Sequence, residues 1–430
     1  MWEQFLQNNA QAEVFEIESE ATRIVFEANE LKSFEVEETA GVALRVIVDG
    51  RLGFAASSNL EASDQLVTNV LESARHGDVL DMRFPAPQPG PEVQVYDDEL
   101  ASLPIDRLVE IGREVIAIMR EADADASVRI DLERRVRQIR LRNSVGVDVQ
   151  EEKSPLSLGI VVQRIRGDDV VILFDYFGTT VWDEGYQAFA RSIAEKLRLA
   201  QRPAALSPGR MPVLFSPAGA LVLGLPLMMG LDGKNVYQGV SPMADRVGEQ
   251  LFDEQLTLLD DPTLEGRPGS SAYDDEGLPR QRRALIADGV LKGFIYDLKT
   301  AVQSNAEPTG NGERGLFNPP RPGFSNLVIA GGTTPLAEII AGIDEGLLVE
   351  SPLGLGQGNV ISGAFSNNLS LAFKIEQGEI VGRVKDVGIA GNVYQDLRHI
   401  AALSQESELV YGGLSLPHVL LSELNVVTKN

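Results

Sequence analysis

The feature that most constrains this fold is a run of 21 residues, Met211 to Leu231, with no charged side chain. A segment this long and apolar must leave water, either across a bilayer or in a protein core. Pro212, Pro217 and Pro226 interrupt the run, and neither end carries the Trp or Tyr that anchors a membrane span. We therefore expect a buried strand over Met211–Phe215, then a buried helix, and no insertion into a membrane.

The composition describes a folded, water-soluble chain. Its 430 residues are 43% hydrophobic and 23% charged, which is enough for more than one core. The net charge of −25 argues against binding to nucleic acid or an anionic membrane, because both need clustered cations. The start of the chain, Met1 to Ala10, does not resemble a secretory signal, so we expect a cytoplasmic protein.

Cysteine and histidine usage limits the metal chemistry available. The chain has no cysteine, so disulfides, thiolate nucleophiles and cysteine metal ligands are excluded. The three histidines, His76, His399 and His418, are far apart in sequence. We expect each to be a packing or surface residue, with a local ion pair to Asp396 possible for His399.

The pattern in the first half predicts an α+β domain with antiparallel strands. Asp49-Gly50 lies between alternating apolar residues and predicts a tight hairpin, and Gly167-Asp168 predicts a second one. Apolar residues at helical spacing predict helices over 60–75, from about Pro104, and over 184–201. The proline- and glycine-containing stretch at 202–209 is typical of a junction. We therefore predict an N-terminal α+β domain at 1–205.

The second half, 206–430, contains many short apolar runs separated by glycine-containing turns. Short strands with regular turn signals predict a β-rich domain, barrel-like or sandwich-like. Gly310–Gly315 matches a dinucleotide-binding glycine pattern, but Pro319, Pro320 and Pro322 prevent the helix that this motif requires. We therefore reject nucleotide binding there.

Two charged clusters remain open to more than one interpretation. The acidic groups Asp260-Asp261 and Asp274–Glu276 could bind a hard cation, or could form turns that accept backbone hydrogen bonds. Five arginines between Arg134 and Arg142 could contact an acidic peptide, or could form a strand face balanced by acidic neighbours. We favour the turn and the balanced strand.

An ordered set of short motifs gives this chain a family resemblance, which covers most of its length and is strongest from Arg210 to Leu397. The motifs are Gly53-Phe-Ala55, Leu141-Arg-Asn-Ser144, Val213-Leu-Phe-Ser216, Gln255–Asp261, Asp275-Glu-Gly277, Gly289-Val-Leu291, Thr309–Arg314, Ser325-Asn326, Gly378-Glu-Ile380 and Ile389–Asn392. Together they resemble the TldD/PmbA family, long called modulators of DNA gyrase and classed among peptidases. The PmbA (TldE) branch is the most similar.

The resemblance implies where a metal site would lie. In the TldD branch, the helix after the strand ending at Phe215 carries a zinc-binding H-E-x-x-x-H pattern, and a later glycine-rich segment supplies a cysteine. The two histidine positions fall here on Gly224 and Met229, and the glutamate position on Leu225. The glycine-rich segment is 354–358. Glycine and leucine cannot bind Zn²⁺ and a thioether binds it poorly, so we expect no metal in this chain.

The resemblance also implies a role. PmbA-branch chains pair with a TldD-like catalytic subunit that holds the zinc, and the pair cuts small or unfolded peptides. On this basis we expect a non-catalytic subunit that is inactive alone, because the zinc ligands are missing. Its candidate peptide-binding residues are Asp274, Asp275, Glu276, Asn311 and Arg314. The alternatives are a homodimeric peptide-binding scaffold without proteolytic activity, an active hydrolase with a metal elsewhere, and an action on DNA.

Overall fold

The computed structural model describes residues 2–167 and 169–428. The helices are α1 (Trp2–Asn8), α2 (Ser63–His76), α3 (Asp98–Ala101), α4 (Ile105–Ala122), α5 (Tyr186–Leu199), α6 (Leu221–Leu231), α7 (Gly233–Tyr237), α8 (Leu298–Gln303), α9 (Leu336–Ala341) and α10 (Val393–Asp396). Short 3₁₀ turns add Leu60–Ala62 and Val360–Ser362. Among these residues, no helix is long and apolar enough to cross a bilayer.

The first half forms one antiparallel sheet. Its strands are β1 (Ala12–Glu27), β2 (Glu30–Val48), β3 (Arg51–Ser57), β4 (Ser127–Asn143), β5 (Asp148–Lys153), β6 (Leu156–Arg166) and β7 (Asp169–Thr179). They pair in the order β3-β2-β1-β4-β6-β7, with β5 beside the end of β4. The sheet curves into a half-barrel, and α4 and α5 cover its apolar side. This confirms the predicted α+β class.

Both predicted hairpins connect paired strands. Asp49 and Gly50 have φ of 50° and 74°, the left-handed values that a two-residue hairpin turn requires. Beyond the second turn, Arg166 of β6 pairs with Asp169 of β7. Asp168 itself lies outside the described residues. The strands β1 and β2 are long, with 16 and 19 residues.

The second half forms a larger sheet. Its strands are β8 (Gly209–Phe215), β9 (Leu258–Asp260), β10 (Arg283–Ala287), β11 (Val290–Leu291), β14 (Leu327–Ile329), β15 (Glu345–Pro352), β16 (Ala364–Glu376), β17 (Glu379–Arg383), β18 (Val387–Asn392), β19 (Ile400–Val410) and β20 (Leu414–Thr428). A separate small pair joins β12 (Gly312–Glu313) and β13 (Arg321–Pro322).

Five strands of this sheet close on themselves. The order β20-β18-β16-β15-β8 returns to its start because β8 pairs with both β15 and β20. The closed ring is a β-barrel, which confirms the predicted β-rich second half. The predicted boundary at 205/206 falls between α5 and β8, and the exact division stays a prediction.

The uncharged segment links the two halves through a single strand. Val213 and Phe215 of β8 belong to the core that surrounds α6, while Leu214 between them joins the core formed with α4 and α5. Side chains alternate across a strand, so β8 serves two cores at once. This explains why the segment tolerates no charge.

The arginine-rich strand is balanced by acidic neighbours, as favoured from the sequence. Arg134 and Arg142 of β4 pair across to Glu20 and Glu16 of β1 at 2.9 and 2.7 Å. Such cross-strand pairs of opposite charge stabilise an antiparallel sheet. The basic run is therefore part of the half-barrel and not an exposed cationic patch.

Candidate functional site

The acidic segment after Ser271 folds as a turn held by one carboxylate. Asp274 Oδ1 accepts hydrogen bonds from the backbone N–H groups of Glu276 and Leu278, at 3.0 and 2.9 Å. Its Oδ2 accepts from the N–H of Gly312 at 2.9 Å. Gly277 has φ of +81°, which a side chain would strain. This supports the turn interpretation over the cation interpretation for these residues.

Glu276 ties this turn to the N-terminal sheet. Arg45 of β2 donates from Nη1 to Glu276 Oε1 at 2.5 Å, and through Nε and Nη2 to both oxygens of Glu13 at 2.9 and 2.5 Å. Glu276 Oε2 also accepts the backbone N–H of Leu298 at 2.7 Å. All three charged side chains are excluded from solvent. A bidentate arginine can bridge two carboxylates in this way, whereas lysine cannot.

Arg314 completes the cluster on the other side of Glu13. Its Nη2 lies 2.8 Å from Glu13 Oε1, and its guanidinium carbon lies 4.0 Å above the ring of Phe15. The backbone N–H of Arg314 donates to Asp275 Oδ2 at 2.9 Å. Two guanidinium groups thus share Glu13, and the cluster joins β1, β2 and two loops of the second half.

Burial sets the protonation behaviour of these carboxyl groups. It shifts the pKa of Glu276 upward, with Arg45 opposing and Asp297 and Asp274 adding to the rise. It also raises the pKa of Asp274 to about 6, against the guanidinium of Arg280. Burial acts the same way on Glu13, but Arg314 and Arg45 outweigh it and hold the pKa of Glu13 below its usual range.

Asn311 belongs to a second buried network. Asp260 accepts from Asn311 Nδ2 at 2.6 Å and from the N–H and hydroxyl of Ser325 at 2.8 and 2.7 Å. Thr309 donates its hydroxyl to Asn311 Oδ1 at 2.8 Å. Burial raises the pKa of Asp260. Three motifs that are separate in sequence therefore meet around one carboxylate.

The candidate peptide-binding residues differ in their access to solvent. Asp274, Glu276 and Asn311 are buried and bond to the protein itself, whereas Asp275 is partly exposed. Asp274 and Asp275 line a cavity of about 360 Å³ together with Val93–Tyr96 and β5. Arg314 and Asp275 line an adjoining cavity of about 350 Å³. Their contact with a peptide stays a prediction.

Sequence reasoning missed the partners that these residues use. Glu13, Arg45 and Asp297 were not singled out, although each is almost completely buried. The available signal was a single charge inside an apolar strand run, such as Arg45 within Val42–Val48. That signal shows that the charge of Arg45 needs a partner. It does not show that the partner is Glu276, which lies 231 positions away in the sequence.

Helix α6 carries the positions where the family resemblance implies a zinc-binding motif. Gly224 is buried, and a Cβ added there would meet no atom within 4 Å. Leu225 lines a cavity of about 350 Å³ formed with residues 353–357 and the start of β16. Met229 is 38% exposed. The prediction of a helix buried on all sides is therefore wrong at Leu225 and Met229. The stripe of α6 that carries these two residues faces the cavity and solvent.

The residues around that stripe do not suit a zinc ion. Glycine and leucine offer no side-chain donor, and Zn²⁺ prefers imidazole, thiolate and carboxylate ligands over a thioether. Within residues 2–167 and 169–428, no group of three or more His, Cys, Asp or Glu side chains could hold a metal ion. The cavity is lined instead by glycine backbone, apolar side chains and the amides of Gln357, Asn367 and Asn368.

Comparison with protein-family models identifies the family of this chain. Residues 208–428 match the PmbA/TldA metallopeptidase C-terminal domain, and residues 12–76 match the PmbA/TldA metallopeptidase domain 1. This chain belongs to the PmbA/TldD family. The first match covers the barrel and α6, and the second covers the β1–β3 sheet edge and α2.

Family members with solved structures share the whole architecture. TldE from Thermococcus kodakarensis superposes with a TM-score of 0.90 at 27% identity, over 99% of each chain. A Thermotoga maritima protein described as a candidate modulator of a DNA gyrase has the same fold, with a TM-score of 0.86 at 23% identity over 97% and 96% of the two chains. The fold of the PmbA/TldD family therefore extends over the entire chain.

Sequence relatives in the family differ in how much they share. The uncharacterized protein MJ0231 of Methanocaldococcus jannaschii is 26% identical over 404 residues, 92% of this chain and 91% of its own length. The metalloprotease TldD homolog of Haemophilus influenzae is 30% identical over 226 residues, 52% of this chain and 47% of its own length. The chain thus matches about half the length of that metalloprotease.

Proposed function

We propose that this chain is the non-catalytic subunit of a TldD/TldE-type metallopeptidase complex that processes small or unfolded peptides. The observation that carries the proposal is the composition of α6, where Gly224 and Met229 stand at the two histidine positions that the resemblance implies, and Leu225 at the glutamate position. Acidification of a zinc-bound water needs a bound zinc, and these side chains cannot supply the ligands. On this proposal the zinc is held by a TldD-like partner.

The preserved architecture supports a role that depends on shape. The Arg45–Glu276 contact holds the acidic turn against the N-terminal sheet. This turn forms one wall of the cavity beside β5. That cavity has apolar side chains from Ile139, Leu141 and Val149, with Glu151 and Glu152 nearby. An extended peptide can add to a strand edge through main-chain hydrogen bonds, largely independent of its sequence. We assign peptide contact to this cavity, with Asp275 as the accessible candidate residue.

The test is reconstitution from purified subunits. The chain alone, its TldD-type sibling from the same genome alone, and a mixture of the two are assayed with a fluorogenic unfolded peptide, and bound zinc is measured by elemental analysis. We expect activity and stoichiometric zinc in the mixture, with neither in this chain alone. Chelation of the mixture by EDTA is the control for metal dependence.

Two results would contradict the proposal. Full activity of the sibling without this chain would remove the need for a second subunit. Stoichiometric zinc and peptide cleavage by this chain alone would show a catalytic site of its own. A stable homodimer that binds peptide, with no gain of activity on mixing, would favour the scaffold alternative instead.

A further inference from the structure

The N-terminal sheet ends in a long unpaired strand edge. Over Glu30–Val48, β2 pairs with β1 along almost its whole length, but β3 covers its other side only from Val42 onward. Within the described part of the chain, the other side of residues 30–41 therefore has no strand partner. Natural sheets usually shorten, charge or cover such an edge, because its free N–H and C=O groups can pair with another chain.

This edge also carries uncovered apolar side chains. Phe34 and Val36 are 59% and 52% exposed. They lie directly opposite Ile24 and Thr22 of β1, which are buried in or beside the core under α4. Paired residues share a face of the sheet, so Phe34 and Val36 continue the core-facing side of the half-barrel beyond the reach of its helices.

The same face leads into an acidic cavity. Glu38 and Ala40 of the free edge line a cavity of about 760 Å³ with Glu18, Asp98 and Glu152. Among the described residues that line it, Arg134 is the one cation, and it is paired with Glu20 at 2.9 Å. Burial, followed by the charges of Glu152 and Asp98, raises the pKa of Tyr96 in the cavity wall.

Charge decides which kind of chain can cover this surface. Residues 30–38 contain four glutamates and one lysine, and the whole chain has a net charge of −25. A second copy would bring an identical acidic edge and cavity to the first, and like charges at close range repel. A basic strand would instead gain from both the edge and the cavity.

We infer that the free edge of β2, with Phe34, Val36 and the acidic cavity beside it, docks a basic strand-forming segment of a different polypeptide. The segment adds to the sheet through main-chain hydrogen bonds, covers the two apolar side chains and places Lys or Arg in the cavity. In the proposed complex, on which this assignment rests, that polypeptide is the catalytic subunit.

A defined probe tests the surface without the partner. A labelled peptide of alternating lysine and valine and its glutamate–valine counterpart are titrated with the purified chain, and binding is followed by fluorescence anisotropy. We expect the lysine peptide to bind at least tenfold more tightly, and added salt to weaken that binding. Equal binding of the two peptides, or no binding of either, overturns the inference.

Matched variants locate the binding. Val36→Lys should reduce binding of the lysine peptide at least tenfold, because it removes an apolar contact and adds a like charge. Val427→Lys is the control, since Val427 is also 52% exposed but lies on the paired strand β20. An unchanged melting temperature shows that Val36→Lys folds normally. If both variants bind like the wild type, the edge is not the site.

Light scattering and the reconstituted complex separate this inference from the proposed function. A homodimer that Val36→Lys dissociates would show that a second copy occupies the edge, which overturns the inference. An active complex unaffected by Val36→Lys leaves the proposed function intact and rejects the edge as its interface. Specific peptide binding at the edge without any complex with the sibling supports the edge and rejects the proposed function.

Discussion

Arg45 and Glu276 are 231 positions apart in sequence and in contact in the structure, with Nη1 and Oε1 2.5 Å apart and both side chains excluded from water. Arg45 is on β2 of the half-barrel, and Glu276 is in the acidic turn of the second half. One ion pair therefore spans the two halves of the molecule. A buried charge that loses its partner is strongly destabilising, so this contact couples the stability of the halves.

Replacement of Arg45 by Met should therefore lower the free energy of unfolding by about 3–5 kcal/mol, because Glu276 would remain buried without its cation and Glu13 would keep only Arg314. Urea denaturation measures the change. Arg140→Met is the control, since Arg140 pairs with Asp148 at 2.9 Å with both side chains exposed, and its loss should cost less than about 1 kcal/mol. Similar values for the two variants would contradict the structural role of Arg45.

Replacing two glycines of α6 by alanine should change the stability of the protein in opposite directions. Gly224→Ala should raise the free energy of unfolding by about 0.5–1 kcal/mol, since the added Cβ has room and alanine favours a helix. Gly230→Ala should lower it by about 1–3 kcal/mol, because its Cβ would lie 2.6 Å from Met243 Cε and 2.7 Å from Tyr394 Oη. Thermal melts of the two variants measure both effects. A destabilising Gly224→Ala would show that the space beside Gly224 is filled.

Asn311→Asp should make stability strongly dependent on pH. The new carboxylate would lie against Asp260 Oδ2, where the Asn311 amide nitrogen now lies at 2.6 Å. Two carboxylates cannot both ionise at that distance, so the variant should lose roughly 2–5 kcal/mol at pH 7. The raised pKa means that the folded state binds the extra proton, and the loss should shrink as pH falls toward 5. Melting curves across pH 5–8 test this, with Asn59→Asp at an exposed turn as the control.

His418 should contribute to acid unfolding. Burial lowers the pKa of His418 to about 4, with Lys196 acting in the same direction and Glu350 and Glu406 opposing. The unfolded chain binds the proton near pH 6.5, so this stability is present above pH 6.5 and is lost as pH falls toward 4, by up to about 3 kcal/mol. His418→Gln should flatten that part of the stability profile measured by urea denaturation. The exposed His76→Gln should follow the wild type, and equal slopes for all three proteins would reject the assignment.

The elements of the fold follow closely from local patterns. The Asp49-Gly50 turn, the amphipathic helices and the strand–helix change near Phe215 could each be predicted, because periodicity and turn chemistry act over a few residues. The length of β2 could not, since its residues 30–40 mix charged and apolar side chains and none of them is buried. The exposure of Leu225 and Met229 also escaped prediction, because an apolar helix does not show which stripe meets a cavity.

By itself, the sequence determined the class of the fold, the family and the absence of histidine at 224 and 229, because these depend on residue identity and short-range order. Only the tertiary structure decided that Asp274, Glu276 and Asn311 are buried and bonded to distant partners, and that one edge of β2 is left uncovered. Burial and long-range pairing depend on which surfaces the closed barrel and the half-barrel bring together. A local sequence pattern does not specify contacts between residues that are far apart in the chain.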